Sequence, residues 1–219
     1  TLTSGDYLYG FNSGKLYRNG LATTPDKKTY LTNSQGKILY GQQTYQGETY
    51  YFNKNGMVKG ILKLDDGNYL YGFNSGKLYR NGLATTPTGR TYLTNSQGKI
   101  LYGQQTYQGE TYYFDEHGMY KGILRLDDGD YLYGFNSGKL YKNGLATTPD
   151  KKTYLTDENG KIQTGWINFN KEKYYANSEG ILQNGVQQIE GKYHLFGINS
   201  YKLFYGLATT PDGKTYYSN

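Results

Sequence analysis

Chemistry in this chain has to come from few ionisable groups and many rings. Its only histidines, His117 and His194, stand at unmatched places, and it has no cysteine. No Ser-His-Asp set, zinc-ligand spacing or phosphate loop can be assembled from the residues present. The adjacent carboxylates Asp65-Asp66 and Asp127-Asp128 are the nearest approach to an acid–base pair. Sequence neighbours point in alternating directions, which suits neither of the glycosidase separations of roughly 5 to 10 Å. The same runs, Leu64-Asp-Asp-Gly-Asn and Leu126-Asp-Asp-Gly-Asp, fall short of the roughly six to eight oxygens that calcium takes. With Gly67 and Gly129 following, they read as tight turns. The chain is therefore expected to be non-catalytic, to hold no metal and to need no cofactor.

Tyrosine is what it has in abundance, 28 of 219 residues, and glutamines come in pairs at Gln42-Gln43 and Gln104-Gln105. A tyrosine ring can pack the apolar side of a pyranose, and an amide offers a donor and an acceptor to vicinal hydroxyls.

The elements that position these groups follow from a strict period of 62 residues. The four prolines, Pro25, Pro87, Pro149 and Pro211, each close a Leu-Ala-Thr-Thr-Pro string and lie 62 residues apart. Tyr-Gly-Phe-Asn-Ser-Gly-Lys-Leu-Tyr starts at Tyr9, Tyr71 and Tyr133. Residues 5–62 match 67–124 except at Asp6, Asp26, Lys27, Lys28, Asn53, Lys54, Asn55 and Val58. Such identity marks recent duplication. The last copy has drifted: Trp166 stands where the others have Gln42 and Gln104, and Ala176 where they have Phe52 and Phe114.

Each unit divides again into three pieces of about 20 residues, roughly 61–82, 21–41 and 42–60 in the first. Every piece has a Tyr-rich strand, a polar turn ending in Gly (Gly36, Gly56, Gly76), a short second strand and a closing Gly. Thr, Tyr and Ile alternate over four to six positions, and no window carries a helical period. The expected fold is all-β, a β-solenoid of stacked β-hairpins with about three hairpins per 62-residue repeat, because a lone hairpin is marginal in water. One solenoid is expected over residues 1–219, with units at about 1–20 (partial), 21–82, 83–144, 145–206 and 207–219 (partial). Both ends fall inside a repeat, so the chain reads as a fragment of a longer protein. Mean hydropathy of −0.81 alone would suit disorder, but the aromatic content and strict period exclude it.

The stretch Gln42-Gln-Thr-Tyr-Gln-Gly-Glu-Thr-Tyr-Tyr-Phe-Asn-Lys-Asn-Gly56, repeated from Gln104, and Gly165-Trp-Ile-Asn-Phe-Asn-Lys-Glu-Lys-Tyr-Tyr175 resemble cell-wall-binding and glucan-binding repeats of Gram-positive extracellular proteins. The resemblance spans nearly the whole chain and implies a solenoid of hairpins. It also implies one of two ligands. The choline-binding branch cages a quaternary ammonium in aromatic rings between hairpins; the glucan-binding branch of glucan-synthesising sucrases and surface lectins stacks a Tyr under a sugar, with Gln and Lys nearby. Trp is the strongest cation–π partner, and Trp166 is the only one here, with Gln at the two matched positions. Glucan or a related wall sugar is accordingly expected ahead of two alternatives, a choline- or teichoic-acid-type anchor and a stalk without ligand.

Strand alternation sends Tyr50 and Phe52 to one face and Tyr51 to the other, which makes Phe52 core and Tyr51, Tyr113 and Tyr175 exposed ring platforms. Tyr45 and Tyr107 are expected as pocket walls, Tyr71 and Tyr133 as rings reaching over from the next hairpin, and Gln42, Gln43, Gln104 and Gln105 as the polar contacts. Trp166 is the strongest single platform, or packing that compensates for Ala176. Lys59 and Lys121 are possible donors, and Phe11, Phe73 and Phe135 are expected in the core. The net charge of +6 comes from scattered lysines rather than a basic stripe, which excludes a nucleic-acid surface. No segment is long and apolar enough for a membrane helix, so membrane insertion is not expected. The partner is expected to be polysaccharide, met outside the cell.

Overall fold

Two-residue reversals set the strand registers. In Tyr45-Gln46-Gly47-Glu48 both central residues have positive φ (52° and 79°), and Tyr45 pairs with Glu48. That is the primed-turn geometry whose twist matches an antiparallel pair. Gln108-Gly109 and Glu190-Gly191 repeat it, and Asn170-Lys171 holds it with a lysine at φ 65°. Where the loop is longer, at Thr23–Thr29, the Thr24 hydroxyl donates to the Lys28 carbonyl at 2.9 Å and also meets Asp26.

The computed structural model describes residues 5–218, and strands are the only regular elements among them. The chain forms two compact units, residues 1–105 with 114–119, and residues 106–113 with 120–219. In the first unit the antiparallel hairpins are Gly20–Thr23 with Thr29–Thr32, Gly41–Tyr45 with Glu48–Asn53, Gly60–Leu64 with Gly67–Tyr71, and Gly82–Thr85 with Thr91–Thr94. In the second they are Gly122–Leu126 with Gly129–Tyr133, Gly144–Thr147 with Thr153–Thr156, Gly165–Phe169 with Glu172–Ala176, Gly185–Ile189 with Lys192–Phe196, and Gly206–Thr209 with Thr215–Ser218. The strands Gly103–Tyr107 and Glu110–Asp115 have residues in each unit. Each unit is thus a tandem stack of short hairpins, with three hairpins in each 62-residue interval of the sequence.

A core made of such elements is a series of small clusters rather than one interior. Leu8, Ala22, Tyr30 and Ile38 form one cluster, Leu70, Ala84, Tyr92 and Ile100 the next copy, and Leu132, Ala146, Tyr154 and Ile162 a third. Leu31, Tyr50 and Phe52 form an alternate layer. Tyrosine suits these places because its hydroxyl can leave the cluster: Tyr30 donates to the Lys54 carbonyl at 2.9 Å and Tyr92 to the Glu116 carbonyl at 3.0 Å. This is how a chain of low mean hydropathy still buries rings in hairpin after hairpin, with the hairpin at 206–218 as the exception.

Phe11 and Phe135 depart from the sequence reading. They are exposed, 65% and 41%, while Phe73 is half-buried. Each sits on the turn after Gly10, Gly72 or Gly134, and the closing hydrogen bond from the Gly134 amide to the Lys139 carbonyl (2.8 Å) puts the ring on the outside of the reversal. The Asp-Asp runs are turns, with Leu64 pairing Gly67. Asp66 is engaged by the Tyr69 hydroxyl at 2.9 Å and by Lys99 at 2.8 Å.

Candidate functional site

The register decides which of the expected site residues share a face. Gln42 pairs with Tyr51, and Gln43 with Tyr50, so Gln42 and Tyr51 lie on one side of the hairpin and Gln43, Tyr45, Tyr50 and Phe52 on the other. Phe52 is buried as expected, 1% exposed. Tyr51 is only half-exposed, because the following hairpin covers much of its face: it packs edge-on against Tyr71 at 6.3 Å, beside Leu62 and Leu64. Tyr113 does the same with Tyr133 (6.1 Å) and Tyr120 (6.3 Å).

Tyr71 and Tyr133 are where the expectation fails. Both are fully buried, with hydroxyls that have no partner, and burial pushes each phenol up to about 12. They are the floor on which Tyr51 and Tyr113 rest and present no face to a ligand. Alternation along one strand was read correctly; what it omits is that a stacked hairpin has neighbours on both sides.

The glutamines divide as well. Gln43 donates to the Tyr40 carbonyl at 2.6 Å and Gln105 to the Tyr102 carbonyl at 2.6 Å, so these amides brace the entry to their own hairpin. Gln42 and Gln104 are exposed. Tyr45 and Tyr107 are half-buried walls whose hydroxyls accept from Gln46 and Gln108 at 3.2 Å.

In the first unit Gln42 borders an open polar cleft of about 480 Å³ with Asp66, Tyr69, Arg80, Gln97 and Lys99. Lys99 bonds to Asp66 and holds its carboxyl below the usual range; its ammonium also lies 5.7 Å from the centre of the Tyr69 ring. Arg80 donates to the Thr49 hydroxyl at 2.7 Å. A second cleft, about 510 Å³, lies beside Tyr40 and Tyr51. There Tyr40 donates to Asp6 at 2.7 Å, and burial followed by that carboxylate raises its phenol to about 12.

In the second unit Trp166 is half-buried in a cluster of rings: Tyr175 at 5.1 Å, His194 at 5.0 Å and Phe196 at 6.0 Å. The Lys173 ammonium lies 4.6 Å from the centre of its ring. The drifted copy thus brings Trp166 and Tyr175 together, with a cation already over the Trp166 ring.

Two further clefts in this unit lie at equivalent places. One, about 380 Å³, includes Phe135, Asn136, Ser137, Tyr141 and Thr147; the other, about 130 Å³, includes Ile198, Phe204, Thr209 and Pro211. Sequence reasoning missed them. The signal was the Tyr closing each Gly-Lys-Leu-Tyr string, and the structure leaves Tyr17, Tyr79 and Tyr141 each about half exposed (48%, 47%, 48%).

Among the described residues no group of three or more His, Asp or Glu side chains is arranged to hold a metal ion. Tandem hairpins carrying ring-and-amide clefts are the architecture of a carbohydrate- or cell-wall-binding repeat module, and the comparisons with known proteins agree. The family described as "Putative cell wall binding repeat" matches residues 43–56 and 164–182. Glucosyltransferase-S of Streptococcus mutans serotype c is 32% identical over 212 residues, covering 93% of this chain and 14% of that protein. Glucosyltransferase-I of Streptococcus downei is 27% identical over 221 residues, again 14% of its length. Among solved structures, CbpJ from Streptococcus pneumoniae TIGR4 has a TM-score of 0.60 at 20% identity, covering 97% of this chain and 92% of that one. Choline binding protein F from Streptococcus pneumoniae, solved in the presence of a peptidoglycan analogue, has 0.58 at 23% identity, covering 97% and 73%.

The chain carries choline-binding-like, cell-wall-binding repeats at residues 43–56 and 164–182, is related in sequence to streptococcal glucosyltransferases, and shares its fold with choline-binding surface proteins. It spans about one seventh of the curated relatives named above. The sequence reading set α-glucan ahead of choline; the family description names the cell wall, and the likeness to the solved structures concerns the fold.

Proposed function

We propose that the chain is a multivalent attachment module, working outside a Gram-positive cell, that holds a neutral, hydroxyl-rich polysaccharide such as an α-glucan. The observation that carries this reading is what occupies the cage position. At the places matching Trp166 the other copies have Gln42 and Gln104, both exposed, so only one of the three matched hairpins offers a cation the strongest ring partner. Amides beside half-exposed tyrosines suit hydroxyls better than an alkylammonium. Identity with streptococcal glucosyltransferases over most of the chain supports the same ligand class, and attachment to a catalytic domain of that kind is part of the proposal. Within each unit the hairpins are taken to wind as a solenoid, so that successive clefts are tethered and weak single sites gain avidity of about 10²–10⁴. The test is electrophoresis of the native chain through gels containing dextran. Retardation that grows with dextran concentration is the expected result, and free migration on dextran and on cell-wall glycans would leave only a stalk.

A second reading, choline or teichoic acid, is favoured by the likeness to choline-binding proteins and by the rings gathered around Trp166. It expects retention on a tertiary-amine resin and elution by free choline. The polysaccharide reading expects passage straight through that resin.

A further inference from the structure

Exposed aromatic rings recur at one repeat position for which packing supplies no reason. Tyr17, Tyr79 and Tyr141 are each about half exposed, and Phe204, in the drifted copy, is 39% exposed. A polar side chain there would forgo little burial. When the last copy drifted, Phe135 gave way to Ile198 and Tyr141 to Phe204, so the phenol hydroxyl was lost and the ring kept.

The surroundings of Tyr141 explain what such a ring could serve. The backbone bond from the Tyr141 amide to the Leu132 carbonyl, 2.9 Å, fixes the ring's base beside the corner where Thr147 leads into Pro149. Gly134 has no left-handed φ, so glycine is not demanded by its backbone; it secures space. A Cβ there would stand 2.5 Å from the Ser137 hydroxyl and 3.6 Å from the edge of the Tyr141 ring. Gly10 leaves the same opening, 2.6 Å from the Ser13 hydroxyl and 3.5 Å from Tyr17. Across the cleft the Thr147 and Thr153 hydroxyls pair at 2.9 Å, as Thr23 and Thr29, Thr85 and Thr91, and Thr209 and Thr215 do in the other copies. The Tyr141 ring therefore lines one side of the cleft, and Thr147, Ser137 and Asn136 bring hydroxyls and an amide to it. At about 380 Å³ the cleft falls in the usual range for small-ligand sites, roughly 300–1,000 Å³.

We infer that this corner cleft, between the Gly-Phe-Asn-Ser turn and the Thr-Thr-Pro corner, is a sugar subsite, taking one hexopyranose unit of a neutral glycan with its apolar side on Tyr141 and its hydroxyls on Thr147, Ser137 and Asn136. The same turn and half-exposed ring recur at Tyr17 and Tyr79, where the subsite is inferred by repeat equivalence, and a narrower cleft of about 130 Å³ lies at Phe204. This rests on the polysaccharide reading and says which clefts do the holding: those at Tyr17, Tyr79 and Tyr141 rather than those beside Gln42 or Tyr51.

The test compares the native chain with a triple variant, Tyr17→Ala, Tyr79→Ala and Tyr141→Ala, and with its ring-keeping counterpart, Tyr17→Phe, Tyr79→Phe and Tyr141→Phe, in dextran-containing gels. The alanine triple is expected to bind dextran at least about tenfold more weakly as avidity falls, with an unchanged circular dichroism spectrum, while the phenylalanine triple binds as the native chain does. Equal retardation of the native chain and the alanine triple overturns the subsite and leaves the polysaccharide reading standing. No retardation of the native chain overturns both. Should the alanine triple unfold, NMR titration of the native chain with isomaltotriose decides: shifts centred on Tyr141 and Thr147 support the subsite, and shifts confined to Gln42, Tyr51 or Trp166 overturn it.

Discussion

The hairpins at 41–53 and 165–176 descend from one ancestral piece, yet they have moved a large ring from one face to the other. In the first, Phe52 pairs with Gly41 and is buried against Leu31, and the opposite face pairs Gln42 with Tyr51. In the second, Ala176 pairs with Gly165 on the core face, and Trp166 pairs with Tyr175 on the other. Trp166 therefore does not fill the space that Ala176 leaves. Ile167, Tyr174, Leu182 and the partly buried Tyr201 do, and Ala176 is 1% exposed among them. Changes on the core face are answered by packing, whereas the face toward the next hairpin is free to change what it offers: an amide in one copy, a ring cluster in another. A module built this way can alter its ligand contacts copy by copy without altering its fold.

Breaking that comparison gives the largest effect. Phe52→Ala copies Ala176 into a hairpin without the compensating side chains and should cost about 3–5 kcal/mol, measured by urea unfolding. Ala176→Phe, the converse, should cost about 1–3 kcal/mol by overpacking a cluster that has already closed. Tyr71→Phe removes a buried hydroxyl with no partner and should leave stability unchanged or raise it by about 1 kcal/mol, which would confirm that Tyr71 is floor rather than contact. Lys173→Gln removes the ammonium from the Trp166 ring at a cost of about 0.5–1 kcal/mol. Since Trp166 is the only tryptophan, its emission reports the change directly.

The smallest effect is in the acid limb. Lys99 lowers the Asp66 pKa, so the pair's contribution is present above the ordinary carboxylate range and is lost as pH falls through the depressed folded value. Asp66→Asn should flatten the fall of the thermal midpoint below about pH 4. An unchanged slope would show that the pair contributes nothing measurable, as exposed pairs often do.

Much of this was legible in the sequence because duplication repeats its own evidence. The 62-residue spacing, the Gly turns and the alternation in Thr-Tyr-Tyr-Phe lead to hairpins, and Phe52 was recognisable as core from its lack of a hydroxyl. The site was less legible for a physical reason. Period-2 alternation assigns faces but does not say that both faces of a stacked hairpin are covered, so Tyr71 and Tyr51 looked alike while one is buried and the other half-exposed. Gln42 and Gln43 are adjacent and chemically identical, yet only Gln43 lies where its amide reaches the Tyr40 carbonyl. Phe11 and Phe135 were misjudged because a phenyl ring was assumed to seek the interior, whereas the turn that carries it faces out. The half-exposed Tyr141 offered no contrast at all: three copies of its string are identical, and only the drift to Phe204 shows that the ring outlasts the hydroxyl.

Isothermal titration calorimetry of the intact chain, with an isomalto-oligosaccharide in one experiment and choline chloride in the other, weighs the two ligand classes against each other most directly. Binding heat with the sugar at more than one equivalent per chain, and none with choline, is the result expected of a polysaccharide-holding module. Saturable heat with choline and none with the sugar would contradict it.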